Sequence, residues 1–371
     1  MENNKIKVGI THGDINSIGY EIILKTFADP AMLELCTPVV YGSPKVAAYH
    51  RKSLDLTTNF SIVHSASDAA YNKLSIVNCT DDEVKVEFGK STPEAGKAAF
   101  DALERAISEY KEGRINVLVT APIDKHNIQS AHFPFPGHTE YLENCLSEDG
   151  KKALMILLKD DLRVALVTGH IPLREVAGKI TKESLSEKIA IFHRSLKVDF
   201  GISSPRIAVL ALNPHAGDGG VIGTEEKEII RPAIEEMRNQ KILCYGPYPA
   251  DGFMGSGNYT HFDGILAMYH DQGLIPFKTL AMEEGINYTA GLPLIRTSPA
   301  HGTAYDIVNK GIASESSFRQ AIYTAIDIYR ARLRNEEAHA HPLRKQYYEK
   351  RDDSDKLKLD TVTDDELPTV L

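Results

Sequence analysis

The sequence contains few cysteines and no pairing pattern among them. The four thiols are Cys36, Cys79, Cys145 and Cys244 in a chain of 371 residues, and no two have the close spacing of a metal-binding or redox motif. This scarcity argues against a disulfide framework and against a zinc site built from cysteines. Scattered, reduced thiols are typical of a cytoplasmic protein, which is the location that we predict.

Long apolar runs and an excess of positive charge are also missing. No run reaches the roughly 20 residues that a membrane-spanning helix needs, and the N-terminal stretch MENNKIKVGI lacks the apolar segment of a signal peptide. The formal net charge of −9 gives the molecule no electrostatic attraction to nucleic acid or to an anionic membrane. We therefore expect neither partner, although a local basic pocket for a small anion is compatible with this charge.

Short apolar runs alternate with longer amphipathic stretches along most of the chain. Runs such as IKVGIT, PVVYG and INVLVTAPI predict strands, and TPEAGKAAFDALERAISEYKEG predicts a helix that begins near Pro93 and stops at Gly113. The stretch ALMILLKDDLRVALVTGH holds two apolar runs around KDD, which predicts an antiparallel hairpin. This alternation predicts an α/β fold with a largely parallel sheet and some antiparallel strands, in which ligand residues gather beyond the carboxyl ends of the strands.

Two common nucleotide fingerprints are absent, because no GxGxxG follows the first strand and no GxxxxGK[ST] occurs. The segment HAGDGGVIGTEEKEII is rich in glycine like a phosphate loop, but Glu225 and Glu226 would repel a phosphate at the start of the following helix. We expect these glycines to form a tight turn that orients His215.

Three histidines each follow a predicted strand. His170 occurs in VALVTGHIPL, His215 in VLALNPHAGDGG and His270 in ILAMYHDQG, and each is followed within a few residues by proline or glycine, which predicts a turn. Neutral imidazole is a common metal ligand, and three histidines leave coordination positions open for a substrate. The alternative is three unrelated loop histidines, and the long spacing between them leaves both interpretations open.

Several polar residues in the second half of the chain suit a bound anion. FPGHTEYL joins a Pro-Gly turn to a helix, with His138 ahead of Thr139, which we predict as the N-cap. We expect Lys278, Asn287 and Arg296 at strand-like edges around turns, where Lys and Arg can bind phosphate or carboxylate. Each of these residues also has an ordinary structural explanation: HGTAYDIV, for example, resembles a capping box, and a surface Lys or Arg is usually just solvated.

Taken together, these segments resemble the 4-hydroxythreonine-4-phosphate dehydrogenase family of pyridoxal phosphate biosynthesis, over roughly residues 5 to 335. The motifs that carry the resemblance, in chain order, are GDINSIGYE, TAPIDK, FPGHTEYL, VTGHIPL, LNPHAGDGG, DGILAMYHDQGLIPFK and RTSPAHGTAYDIV. The resemblance implies a fold similar to that of isocitrate and isopropylmalate dehydrogenases, not a Rossmann fold. It implies two α/β domains, one formed by 1–133 plus 308–338 and the other by 134–307, followed by a polar C-terminal tail, 339–371.

The resemblance also implies a site at the interface of a homodimer. One divalent metal (zinc, cobalt, manganese or magnesium) would be bound by two histidines of one subunit and the third of its partner, and NAD, or alternatively NADP, would be the cofactor. The implied metal ligands are His170, His215 and His270; the implied substrate-binding residues are His138, Thr139, Lys278, Asn287 and Arg296; the implied cofactor loop holds His301, Gly302, Thr303 and Asp306. Asp271 is a candidate to orient His270, and Asp251 is a candidate general base.

The implied activity is oxidation of the secondary hydroxyl of 4-phosphohydroxy-L-threonine, followed by decarboxylation to 3-amino-2-oxopropyl phosphate. A dehydrogenase of 4-phosphothreonate or 4-phosphoerythronate is one alternative, and a non-catalytic protein that binds metal and phosphate is another. One motif departs from the family pattern, because Ile15 and Tyr20 replace prolines and Ser17 replaces a glycine in GDINSIGYE. Loss of two prolines predicts a loosened or reshaped loop.

Overall fold

The computed structural model describes residues 5–81, 84–130, 132–147, 152–281 and 283–341. Within these ranges the chain forms twelve strands and eleven α-helices, with short 3₁₀ and π-helical segments between them. The strands are β1 Lys7–Thr11, β2 Thr37–Gly42, β3 Phe60–Val63, β4 Leu74–Asn78, β5 Val117–Thr120, β6 Leu154–Lys159, β7 Leu162–Leu166, β8 Ile207–Leu210, β9 Cys244–Tyr248, β10 Gly264–Ala267, β11 Ile286–Ala290 and β12 Arg296–Pro299. The helices are α1 Gly19–Thr26, α2 Pro30–Leu35, α3 Pro44–Ser53, α4 Pro93–Lys111, α5 His138–Leu146, α6 Val176–Lys179, α7 Lys182–Val198, α8 Arg231–Asn239, α9 Ala250–Gly255, α10 His270–Ala281 and α11 Ser316–Ala340.

All twelve strands of the described ranges join one sheet, in the order β3-β4-β2-β1-β5-β12-β11-β6-β7-β10-β8-β9. Neighbouring strands pair in parallel except that β6 is antiparallel to β7 and β11, and β11 is antiparallel to β12. The predicted α/β class, with a largely parallel sheet and some antiparallel strands, is confirmed. Strands from both predicted domains enter this sheet, and the domain boundaries stay a prediction.

The local sequence explains why individual elements form, as helix α4 illustrates. Thr92 caps its start by accepting a hydrogen bond from the backbone N–H of Ala95, and Pro93 occupies the first turn, where a missing N–H does no harm. Gly113 follows the helix with a φ of 72°, a left-handed conformation that favours glycine. The buried face of the helix packs against β1 and β2, so the predicted helix and both of its boundaries are confirmed.

The predicted hairpin is also confirmed, and it helps to bring the three histidine-bearing segments to one edge. Strands β6 and β7 pair antiparallel around the KDD turn. Strand β7 is followed in the sheet by β10 and then β8, and these three strands are parallel. The segments that carry His170, His270 and His215 therefore leave the sheet at the carboxyl ends of three adjacent strands.

The altered N-terminal loop is built into the core. Ile15 and Tyr20, which replace prolines of the family pattern, are both fully buried. The Tyr20 hydroxyl donates to the carbonyl of Ser43 at 3.1 Å and accepts from the Ser43 N–H at 2.8 Å, and its ring stacks on His12. These contacts fix the loop through packing and hydrogen bonds, which replace the φ restriction of proline, so the expected loosening is not seen.

A buried network around Asp199 fastens helix α11 to the sheet. Asp199 accepts hydrogen bonds from Tyr288 Oη at 2.6 Å, Ser195 Oγ at 2.7 Å and Arg332 Nε at 2.7 Å. Burial and the Asp199 charge raise the pKa of Tyr288 well above its usual value, so Tyr288 stays a neutral donor. Because Tyr288 lies on β11 beside Asn287, this network also steadies a strand that contributes to the site described below.

Asp199→Ala is expected to lower the free energy of unfolding by about 3 kcal/mol, because it leaves the partly buried Arg332 charge without its carboxylate partner. Urea unfolding followed by circular dichroism would measure this. Asp327→Ala is the control on helix α11, which also carries Arg332, since Asp327 forms an exposed pair with Arg330 and its removal should change stability very little. An equal decrease in the free energy of unfolding in both variants would show that the buried network has no special role in stability.

Two further predictions concern the C-terminal tail and membrane-spanning helices. The predicted polar tail, 339–371, lies outside the described residues from 342 onward. Among the described helices, none combines the length and the apolarity that crossing a bilayer requires.

Candidate active site

A cavity of about 250 Å³ lies beyond the sheet edge, between the β5–β12 region and helices α5 and α10. It brings together most of the residues that the sequence singled out. The predicted site residues that line it are His138, Thr139, His170, His270, Lys278, Asn287, Arg296, His301 and Gly302. The predicted residues that do not line it are His215, Asp251, Asp271, Thr303 and Asp306.

Arg296 is a buried cation held only by neutral groups. It begins β12, is 4% exposed, and donates to Thr120 Oγ1 at 2.6 and 3.1 Å and to Thr289 Oγ1 at 3.4 Å. Its Nη2 also lies 3.2 Å from Nδ1 of His138. Burial lowers the pKa of Arg296 to about 10, which still leaves the guanidinium charged at neutral pH. Among the described residues no carboxylate pairs with it, so the cavity supplies a positive charge that an anion would neutralise.

Helix α5 presents a neutral histidine beside this arginine. The helix begins at His138 with Gly137 as its N-cap, so the prediction that Thr139 is the N-cap is wrong. Gly137 has an extended backbone and no side chain, so the helix begins without a side-chain cap. Burial and the charges of Arg296 and Lys125 hold the pKa of His138 well below its usual value, so the ring is a neutral hydrogen-bonding group.

Two further polar residues reach the cavity from different elements. Lys278 lies in the last turn of α10, so its predicted position at a strand edge is wrong. Its ammonium has no ion pair within the described part of the chain. Asn287 projects from β11, and its Oδ1 is buried with no hydrogen-bond partner. An unpaired buried oxygen is costly unless a ligand or water donates to it, so Asn287 offers an acceptor to a donor group of a ligand.

His170 and His270 lie side by side, with their ring centroids 5.7 Å apart. Nδ1 of His270 is 2.7 Å from Oδ1 of Asp271, and Nδ1 of His170 is 3.4 Å from Oε1 of Glu140. A carboxylate at Nδ1 favours the tautomer whose Nε2 carries a free lone pair, which is the usual arrangement of metal-binding histidines. The pair therefore fits a divalent cation.

The predicted turn after His270 is wrong, because His270 begins helix α10. Gly273 lies inside this helix. A Cβ at Gly273 would come within 2.7 Å of the Leu166 side chain, so glycine lets α10 lie close against β7. The helix holds His270 at its first turn and Lys278 two turns later.

His215 lies on a separate loop after β8, with a φ of 52°, and the residues from His215 to Gly219 all have positive φ. Glu226 holds this loop by accepting hydrogen bonds from the backbone N–H groups of Leu212 and Asn213 at 2.8 and 2.7 Å. Those N–H groups are thus unavailable to a phosphate, as expected from the sequence. In the described part of one chain, no three His, Cys, Asp or Glu side chains are grouped so as to hold a metal ion.

The loop predicted to bind the cofactor, from His301 to Asp306, packs against the altered N-terminal loop GDINSIGYE. The Ile18 N–H donates to the Thr303 carbonyl at 3.4 Å, and the Tyr305 hydroxyl donates to Asp14 at 2.8 Å. The expected capping box is wrong, because Ala304 has a left-handed backbone and a 3₁₀ turn, Tyr305–Ile307, follows it without a side-chain cap. Asp306 is exposed on this turn, and Asp251 is exposed on α9.

Two residues of the cavity carry no signal in a single sequence. Lys125 lies five residues beyond β5, and its Nζ is 3.1 Å from Nε2 of His170. Glu140 lies in the first turn of α5, where it resembles an ordinary helix-dipole partner. Burial opposes its ionisation, but hydrogen bonds from His170 and from its own backbone N–H, together with the charge of Lys125, outweigh this and lower the pKa of Glu140. Only the fold shows that both residues face His170.

The comparisons with known proteins agree on one family. The family model "Pyridoxal phosphate biosynthetic protein PdxA" matches residues 34–325. The chain is 73% identical to the 4-hydroxythreonine-4-phosphate dehydrogenase of Bacteroides thetaiotaomicron, over 98% of this chain and 100% of that protein. It is 37% identical to an Oceanobacillus iheyensis protein provisionally named a D-threonate 4-phosphate dehydrogenase, over 86% of this chain and 97% of that protein. A crystal structure of 4-hydroxythreonine-4-phosphate dehydrogenase from Klebsiella pneumoniae superimposes with a TM-score of 0.76 at 32% identity, covering 89% of this chain and 99% of that one.

Proposed function

The chain belongs to the PdxA family of pyridoxal phosphate biosynthetic proteins, and we propose that it is a 4-hydroxythreonine-4-phosphate dehydrogenase. The proposed reaction oxidises the secondary hydroxyl of 4-phosphohydroxy-L-threonine with NAD. Loss of the carboxylate as carbon dioxide then gives 3-amino-2-oxopropyl phosphate. The identity of 73% over nearly the whole chain supports this substrate.

The observation that carries the proposal is the unpaired buried charge of Arg296. A guanidinium that is 4% exposed and held only by threonine hydroxyls and a neutral imidazole needs an anion. His138, Thr139 and Lys278 line the same cavity with further donors, and the side-chain NH₂ group of Asn287 adds another. A phosphate with three acceptor oxygens fits this set, and binding it fixes the rest of the substrate in the cavity.

We propose that His170 and His270 bind a divalent metal, with Asp271 and Glu140 orienting the two rings. When bound, the metal would supply Lewis-acid polarisation of a substrate oxygen, and NAD would supply the hydride acceptor. The loop from His301 to Asp306 is the proposed cofactor site. The protein's own contribution is to hold the substrate carbon towards that loop and to limit its freedom.

We propose that a second copy of the chain completes the site with its His215. All three histidine-bearing segments carry exposed large apolar side chains, including Leu173, Val221 and Ile275, which are 74%, 84% and 64% exposed. Large exposed apolar groups at a site mark a protein interface more often than a free surface. A two-fold dimer would cover them and bring each His215 towards the other subunit's histidine pair.

The deciding experiment follows NADH formation at 340 nm with 4-phosphohydroxy-L-threonine, with and without an added divalent metal. We expect turnover that needs the metal and is lost with a chelator. 4-Phosphothreonate and 4-phosphoerythronate should be poorer substrates in the same assay. A higher kcat/KM for either of them would overturn the proposed substrate, and tight binding of every candidate without NADH formation would favour a non-catalytic binding protein.

A further inference from the structure

We propose that Lys125 binds the carboxylate of the substrate, the group that leaves as carbon dioxide. This inference rests on the proposed function. It concerns a residue that follows β5 in TAPIDK and lies beside the metal-binding histidine pair that we propose. The charges in the cavity and the different neighbours of its cations support this assignment.

The cavity has more cations than the phosphate alone would require. Among the described residues that line it, Lys125, Lys278 and Arg296 are positive and Glu140 is negative, which leaves an excess of two positive charges. A phosphate monoester carries a charge of about −2, which matches that excess, and the divalent cation proposed at His170 and His270 would add two further positive charges. The substrate, however, carries a second anion, and the phosphate-binding set leaves its carboxylate without a partner.

Lys125 is set apart from the phosphate-binding set by its neighbours. Arg296 contacts Thr120, Thr289 and His138, whereas the described hydrogen-bond partner of Lys125 is Nε2 of His170, at 3.1 Å. The side chain of Lys125 is solvent-exposed, so a ligand in the cavity can reach it without rearranging the core.

The contact with Nε2 of His170 places the ammonium at the histidine end of the cavity. A metal bound through that nitrogen would displace the ammonium into the adjoining space, where it can bind an anion. If the phosphate lies at Arg296, the carboxylate end of the four-carbon chain extends towards the histidines and meets Lys125. A lysine presents a compact charge with three donors, which suits a carboxylate that must later depart. Lys125 therefore acts as a specificity-determining residue for substrates that carry both anions.

The test uses two compounds that cannot be oxidised, since both lack the 3-hydroxyl group. O-Phospho-L-homoserine has the phosphate and the carboxylate, and 3-aminopropyl phosphate has the same chain without the carboxylate. Binding of each would be measured by isothermal titration calorimetry on the full-length protein. The variants are Lys125→Met and, as the matched control in the same cavity, Lys278→Met.

We expect Lys125→Met to weaken the binding of O-phospho-L-homoserine about 10- to 100-fold. The affinity for 3-aminopropyl phosphate should change by no more than about two-fold. Lys278→Met should weaken both, and Lys125→Arg should recover part of the affinity for the carboxylate compound. Equal weakening of the two compounds by Lys125→Met, or no weakening of either, would overturn the assignment. If the wild-type protein fails to reduce NAD with 4-phosphohydroxy-L-threonine, the proposed function itself is wrong, which is a separate result.

Discussion

Arg296→Met is expected to lower kcat/KM by roughly 100- to 1000-fold and, in phosphate-free buffer, to leave the protein at least as stable as the wild type. Activity falls because the phosphate loses its buried, forked donor. Stability is kept because the substitution removes a charge that has no carboxylate partner, and we expect a gain on the order of 1 kcal/mol. Residues placed for a ligand are often unfavourable for the empty fold.

The control for this prediction is Arg332→Met, the same change at an arginine that is partly buried but has a carboxylate partner. Arg332 is paired with Asp199 at 2.7 Å, so its removal should lower the free energy of unfolding by about 3 kcal/mol. It should weaken phosphate binding far less than Arg296→Met does, because Arg332 does not line the cavity. Steady-state kinetics, calorimetry with inorganic phosphate and urea unfolding would be measured on both variants. A clear loss of stability in Arg296→Met would show that its threonine and histidine contacts matter more than its unpaired charge.

His270→Ala is expected to abolish turnover, with a loss of about 1000-fold or more in kcat, while the fold survives. The side chain of His270 is 37% exposed, so its removal opens no cavity in the core. Metal content measured by mass spectrometry should fall together with activity. Near-normal activity of this variant in a buffer with chelator would contradict a metal-dependent reaction.

The shared site can be tested by combining two inactive chains. In a heterodimer of His215→Ala with His270→Ala, one of the two sites keeps all three histidines, so we expect about half of the wild-type activity per dimer. The two chains would carry different affinity tags and be purified in tandem. In the control, His170→Ala with His270→Ala, each site lacks one histidine and no activity should return. Recovery in the control, or none in the first pair, would exclude the proposed division of ligands.

The sequence predicts the class of the fold and the kinds of chemical group at the site. Strand and helix periodicity, together with caps such as Thr92 and stops such as Gly113, is local information, and the described elements follow it closely. The resemblance to the family rests on residue identities and needs no coordinates. The exceptions are local patterns that contacts elsewhere override: the sequence predicts a turn after His270, yet this residue begins helix α10, and Gly273 lets that helix lie close against β7.

Other features of the site depend on contacts between distant parts of the chain. Lys125 meets His170 across 45 positions, and Arg296 meets Thr120 across 176. Arg296 becomes buried among neutral groups only when the sheet is packed. No single segment of the sequence shows this. The amino-acid sequence alone thus determined the secondary structure and which side chains were available to the site, because propensity and periodicity act over a few residues. Which of them share a cavity, and which charges lack partners there, was decided by tertiary packing, because burial and electrostatic pairing depend on distance in space.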